Sequence, residues 1–125
     1  MRLLVVEDDP DLNRQLTTAL SDAGYVVDRA FDGEEGHFLG DSEPYDAVVL
    51  DIGLPKMDGY EVARRLRAQC GSPCPCLIAL TGYGQPEDRA RALTAGFAAH
   101  LTKPTDPQQL QQVLSANLTP AATGS

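Results

Sequence analysis

Short apolar runs alternate along the chain with stretches in which apolar residues recur every three or four positions. The short runs predict five β-strands, at Arg2–Val6, Tyr25–Arg29, Ala47–Leu50, Cys76–Leu80 and Phe97–Leu101. A helical pattern follows each strand. Because strands and helices alternate strictly, the pattern predicts an α/β domain of the (βα)5 type with a parallel sheet and helices on both faces. The flavodoxin-like strand order 2-1-3-4-5 is the common solution for five such strands.

Start and stop signals support these helices. Asp9 can cap the first helix, which then begins at a proline, and the runs Asp32–Glu35 and Asp58–Glu61 are capping boxes for the second and third. Gly24 and Gly96 stop the first and fourth helices, the fourth starting near residue 86. The last helix starts at the Asp-Pro pair 106–107, with leucines at 110 and 114 and a valine at 113 facing inward.

The 125 residues fit one domain, which we assign to residues 1–118, with a flexible polar tail at 119–125. No apolar run approaches the roughly 20 residues of a membrane-spanning helix, and an acid at position 7 interrupts the N-terminal run before it resembles a signal peptide. These features predict a cytoplasmic protein. The net charge of −8 argues against direct binding to nucleic acid.

Candidate chemistry follows the predicted strands. Glu7 and Asp8 end the first strand, Asp51 the third and Thr81 the fourth, while Lys103 lies just beyond the fifth. Ligands of open α/β sheets bind at this carboxyl edge. Each residue alone could be a helix cap or a solvated side chain, but the joint arrangement indicates a site.

Three neighbouring carboxylates repel one another, and a bound divalent cation removes that penalty. All-oxygen ligands suit Mg²⁺, or Mn²⁺ in its place. Asp51 would then be a nucleophile that forms an acyl phosphate. Lys103 would contribute a positive charge and Thr81 a hydroxyl donor to the phosphoryl group.

The chain resembles the receiver domains of two-component response regulators over residues 2 to about 118. The matching stretches are Leu3–Asp9, Val48–Gly59, Ala79–Gly82 and His100–Pro104. The resemblance implies a domain that takes a phosphoryl group from a histidine kinase or phosphotransfer protein and then signals to a downstream protein. Its chemistry would be limited to its own phosphorylation and dephosphorylation.

The resemblance also assigns the site. It makes Asp51 the phosphoacceptor and Lys103 the contact to the phosphate. It places the metal ion on Asp8, Asp51 and the backbone carbonyl of Gly53, with Glu7 acting indirectly.

A conformational switch is implied as well. Thr81 and His100 would form the switch pair, and a cis peptide bond would join Lys103 to Pro104. Phosphorylation would turn the Thr81 hydroxyl toward the phosphoryl group and let the His100 ring rotate inward. The readout surface would be the fourth helix, the fifth strand and the fifth helix.

Two branches of the family are visible in the sequence. Up to about Gly59 the chain resembles receivers attached to winged-helix transcription factors, and from about Leu77 it resembles receivers of hybrid histidine kinases. A recombinant of two receivers and a single lineage of mixed appearance are both compatible with this. The nearly uncharged start of the last helix, residues 107–112, lacks the charged dimer contacts of the first branch and predicts a monomer or weak dimer.

Three other functions deserve comparison. An aspartate-nucleophile phosphatase needs a second acid two residues after the nucleophile, where this chain has Gly53. A flavin or nucleotide module would need a phosphate-binding glycine motif, which the sequence lacks, and would give a yellow protein if it held flavin. A receiver that works without phosphorylation would lack part of the acid, threonine and lysine set.

Overall fold

The computed structural model describes residues 1–54, 59–69, 75–81, 96–103 and 106–117, without the side chains of Gln69 and Thr81. Its strands are β1 (Arg2–Val6), β2 (Val26–Ala30), β3 (Ala47–Asp51), β4 (Cys76–Thr81) and β5 (Ala99–Thr102). Its helices are α1 (Pro10–Asp22), α2 (Gly33–Ser42), α3 (Gly59–Gln69) and α4 (Pro107–Asn117). No helix in this part of the chain is long and apolar enough to cross a membrane.

All strand pairs are parallel, and the sheet has the order β2-β1-β3-β4-β5. The predicted flavodoxin-like topology is therefore confirmed. A strand that is buried on both faces has a continuous run of apolar residues in its sequence. Leu4 and Val6 accordingly pack toward α2 and α3, while Leu3 and Val5 pack toward α1 and α4.

Two strands start one or two residues later than predicted, and four strands end one residue later. Tyr25 precedes β2 because its N–H donates to Leu20 O at 3.1 Å, which leaves it in the closing turn of α1 together with Gly24 at φ +102°. Phe97 precedes β5 and is buried against Tyr60, with ring centroids 6.3 Å apart. The ladder with β4 begins only at Ala99.

The helix starts follow their predicted signals. The Asp9 side chain accepts hydrogen bonds from two N–H groups in the first turn of α1, and Asp32 Oδ1 accepts one from Glu35 N at 2.8 Å. Glu35 reaches back to Phe31 N, one residue before the cap. The final helix begins at Pro107 and buries its leucines as expected.

Several predictions lie outside the described residues. These are the fourth helix before Gly96, the capping aspartate at 58, the Lys103–Pro104 peptide bond and the tail at 119–125. Gly96 itself has φ +98°, a value that suits glycine at the end of a helix.

Candidate active site at the carboxyl edge of the sheet

Two acids lie buried side by side where β1 and β3 end. These strands are neighbours in register, so Glu7, directly after β1, comes beside Asp51, the last residue of β3. Glu7 is 0% exposed and Asp51 is 6% exposed, while Asp8 faces solvent. Carboxylate oxygens of these three residues all lie within 4.8 Å of one another, as the sequence predicted.

Lys103 joins the two buried acids. It follows β5, two strands away from β3, and its long side chain reaches across the end of β4. Lys103 Nζ lies 2.8 Å from Asp51 Oδ2 and 2.7 Å from Glu7 Oε1. One ammonium group therefore neutralises part of the charge of both carboxylates.

Backbone N–H groups hold the other oxygen of each buried acid. Gly53 N donates to Asp51 Oδ1 at 2.9 Å, and Asp9 N donates to Glu7 Oε2 at 3.0 Å. Within the described residues, Glu7 Oε1 accepts no well-aligned hydrogen bond, although the lysine ammonium lies close to it. A buried carboxylate oxygen in this state retains capacity for a further ligand or donor.

The two buried acids differ in pKa. Burial raises the pKa of Glu7 from 4.5 to about 7, because the nearby Lys103 ammonium offsets only part of the desolvation. Burial also acts to raise the pKa of Asp51, but the Lys103 hydrogen bond and the Gly53 N–H outweigh it and hold that pKa below its usual value. The Lys103 pKa is raised, since the two carboxylates outweigh the desolvation of its ammonium group. At neutral pH the site thus presents an ionised Asp51 beside a protonated Lys103.

The donor set fits a hard divalent cation. Three carboxylates converge, one of them exposed to solvent and one with an oxygen that accepts no well-aligned hydrogen bond from the described residues. Mg²⁺ is bound by one or two carboxylates with several retained waters, so an open and acidic edge of this kind suits it.

The predicted switch residues lie on β4 and β5. The backbone places Thr81 at the end of β4, one residue beyond Leu80, which pairs with Asp51; its side chain is outside the described part. His100 is half-buried and pairs with Ala79, on the opposite sheet face to Leu101.

Two residues near the site were not predicted. Gly59 begins α3, and a Cβ there would lie 2.6 Å from both Asp51 O and Ile52 Cα, so only glycine allows this close approach. Asn13 is fully buried on α1. The signal for Asn13 was available, because it shares the inward helical spacing of Leu16 and Leu20.

Residues 3–115 match the family model of the response regulator receiver domain, and the chain belongs to this family. It is a receiver domain of the two-component type, a family of regulatory phosphoacceptor domains.

The similar proteins include transcriptional regulatory proteins and response regulators. The chain is 36% identical to the transcriptional regulatory protein HprR of Escherichia coli over 94% of its own length and 52% of HprR. It spans about half the length of several other regulatory proteins as well. Among solved structures, a response regulator from Chloroflexus aurantiacus has a TM-score of 0.87 at 32% identity, covering 94% of this chain and 96% of that one.

A histidine kinase receiver is also similar. The receiver domain of sensor histidine kinase PA1611 from Pseudomonas aeruginosa has a TM-score of 0.83 at 34% identity, covering 92% of this chain and 94% of that one. Its crystal structure holds a magnesium ion coordinated in the active site cleft. The single-lineage and recombinant origins remain alternative hypotheses, since relatives of both kinds align with nearly the whole chain.

Proposed function

We propose that Asp51 is the phosphoacceptor of this receiver and that Lys103, Thr81 and a divalent cation assist the transfer. The observation that carries the proposal is the contact of Lys103 Nζ with both Asp51 and Glu7, beside the exposed carboxylate of Asp8. This arrangement keeps Asp51 ionised although it is buried. An ionised carboxylate is the nucleophilic form.

The phosphodonor would be the phosphohistidine of a histidine kinase or phosphotransfer protein. An Asp51 carboxylate oxygen attacks phosphorus, the P–N bond to the histidine breaks, and an acyl phosphate forms. The imidazole leaves with the electron pair of the broken bond and takes a proton from solvent. Lys103 lies where its ammonium can shift from the carboxylate to the new phosphoryl oxygens, which places positive charge where negative charge accumulates.

Mg²⁺, or Mn²⁺, would be held by Asp8, Asp51 and the Gly53 carbonyl, with Glu7 close by. When bound, the ion neutralises phosphoryl oxygens during the transfer. Its support here is the set of converging oxygens and the magnesium ion held by the PA1611 receiver.

Labelling with acetyl phosphate tests the assignment. Incubation with acetyl phosphate and Mg²⁺ should add one phosphoryl group, which mass spectrometry of peptides locates at Asp51. Asp51→Asn should abolish the labelling, whereas Asp11→Asn, at an exposed position of α1, should leave it unchanged. Labelling of Asp51→Asn at another aspartate with normal yield would overturn the assignment.

We also propose Thr81 and His100 as the switch pair, with the surface around β5 as the readout for a downstream protein. Support comes from the half-buried position of His100, three residues before Lys103. Beryllofluoride, a phosphoryl mimic, should shift the NMR resonances of the His100 ring in the wild type but much less in Thr81→Ala. Identical shifts in the two proteins would contradict the coupling.

A further inference from the structure

A fully buried polar side chain lies on the inner face of α1. Asn13 is 0% exposed and shares its helix face with the core residues Leu16 and Leu20. A buried amide is costly unless its donors and its acceptor are satisfied. The contacts of Asn13 therefore indicate what it does.

Asn13 makes four polar contacts with other described residues, and these fix the orientation of its amide. Its Nδ2 donates to Glu7 O and to Ala30 O, both at 3.0 Å. Its Oδ1 accepts from Arg29 Nε at 2.8 Å and from Thr17 Oγ1 at 3.3 Å. Because the two carbonyls need a donor and the guanidinium needs an acceptor, the reverse orientation of the amide would lose these bonds.

The two hydrogen bonds that Asn13 donates converge on the backbone around Glu7. Glu7 N donates to Ala30 O at 3.1 Å, so β2 holds one side of the residue while Asn13 holds its carbonyl. The Glu7 side chain in turn accepts from Asp9 N, at the start of α1. Main chain and side chain of Glu7 are thus both tied to the first helix.

We propose that Asn13 is a positioning residue for the cation site. By holding the Glu7 carbonyl it fixes the directions in which the Glu7 and Asp8 side chains leave the end of β1, and it thereby sets the affinity for Mg²⁺. The inference rests on the proposed function, because it takes the acidic edge to be the Mg²⁺ site. Residues that orient metal-binding groups without touching the metal commonly change affinity by about 10- to 100-fold.

Removal of the amide should affect the Glu7 carbonyl more than the Ala30 carbonyl. In Asn13→Ala, the Ala30 carbonyl keeps its bond from Glu7 N, whereas the Glu7 carbonyl loses the Asn13 donor. Asn13→Leu removes the same donors but retains most of the side-chain volume, so it serves as a second variant if the alanine variant folds poorly. Leu20→Ala, farther along the buried face of the same helix, is a control that weakens the core without touching the acids.

Calorimetric titration with Mg²⁺ alone, at a pH well above 7, is the test. Both Asn13 variants should bind Mg²⁺ about tenfold more weakly than the wild type, and Leu20→Ala should bind it as the wild type does. In metal-free protein, the Glu7 amide should exchange hydrogen faster in the Asn13 variants than their loss of global stability explains. Unchanged Mg²⁺ affinity in folded Asn13 variants, or an equal loss in Leu20→Ala, would overturn the inference.

The two proposals can fail separately. If acetyl phosphate does not label Asp51 but the Asn13 variants still weaken Mg²⁺ binding, the phosphoacceptor assignment is wrong and the positioning role stands. If labelling occurs and Mg²⁺ affinity does not depend on Asn13, the positioning role is wrong. A wild-type protein that binds no Mg²⁺ would overturn both the metal part of the proposed function and the role of Asn13.

Discussion

Replacement of the buried Glu7 by glutamine should stabilise the metal-free protein at alkaline pH. Glu7 is fully buried, and its pKa is raised from 4.5 to about 7. The fold therefore favours the protonated acid. This stabilisation is fully present below pH 4.5 and disappears as the pH rises through about 7.

The size of the effect follows from the pKa. A shift from 4.5 to about 7, at about 1.4 kcal/mol per pKa unit, corresponds to about 3 kcal/mol. Glu7→Gln lacks this loss because glutamine stays neutral. The free energy of unfolding of the variant, relative to the wild type, should thus rise by up to about 3 kcal/mol between roughly pH 5 and pH 8.

The other groups of the site should not mask this change. The Asp51 pKa is lowered from 3.8. The contribution of Asp51 to the stability of the fold is therefore lost only at pH values below the experimental range. The Lys103 pKa is raised from 10.5 and lies above that range. Of these three groups, only Glu7 therefore titrates within the experimental pH range.

Urea unfolding followed by circular dichroism, with a chelator present, measures the effect. Glu34→Gln, at an exposed position in the first turn of α2, is the control and should show no comparable change with pH. Saturating Mg²⁺ should stabilise the wild type more than Glu7→Gln, because a ligand stabilises the protein that binds it more tightly. If the free energies of unfolding of Glu7→Gln and the wild type differ by the same amount at both ends of the pH range, the reasoning is refuted.

Four further substitutions test the site and the sheet that carries it. Lys103→Met should slow the initial rate of acetyl phosphate labelling at Asp51 by about 10²- to 10³-fold, and a normal rate would exclude the lysine from the transfer. Gly59→Ala places a Cβ 2.6 Å from two main-chain atoms at the end of β3 and should cost about 1–3 kcal/mol in urea unfolding. Gly53→Ala, whose Cβ would meet only Asp51 Oδ1 among the described residues, at 3.6 Å, should cost clearly less, and equal losses would contradict the close-approach argument. Tyr45→Phe removes a 2.7 Å hydrogen bond to a carboxylate of β2 and should cost about 1 kcal/mol, which an unchanged urea midpoint would rule out.

The topology was predictable because each central strand is apolar on both faces. The run from Leu3 to Val6 has no polar position. Such a run is expected only for a strand whose two faces are both covered, as they are here. Strand ends were less predictable. Tyr25 has the character of a strand residue, yet its N–H completes the last turn of α1, a hydrogen bond that no apolar pattern encodes.

The membership of the acidic cluster was also predictable, since parallel strands end at the same edge of a sheet. Which residues of the cluster contact each other was not predictable. That Lys103 contacts Glu7 as well as Asp51 depends on its reach across the end of β4, which is a property of the packed sheet. The close packing at Gly36, in α2, was not predictable either. In the sequence this glycine only weakens α2, whereas in the structure a Cβ there would lie 2.8 Å from a methyl group of Val6.

Charge explains why this edge is built with one acid of raised pKa. Three carboxylates and one ammonium leave a net charge of minus two when all are ionised, and two of the carboxylates are buried. Without a cation, the least costly response is for one acid to retain its proton, and Glu7 does so because burial affects it more than Lys103 compensates. A divalent cation would supply the missing charge, so binding below about pH 7 should displace the Glu7 proton. The uncompensated negative charge that destabilises the metal-free protein at alkaline pH is thus the same charge that favours Mg²⁺ binding.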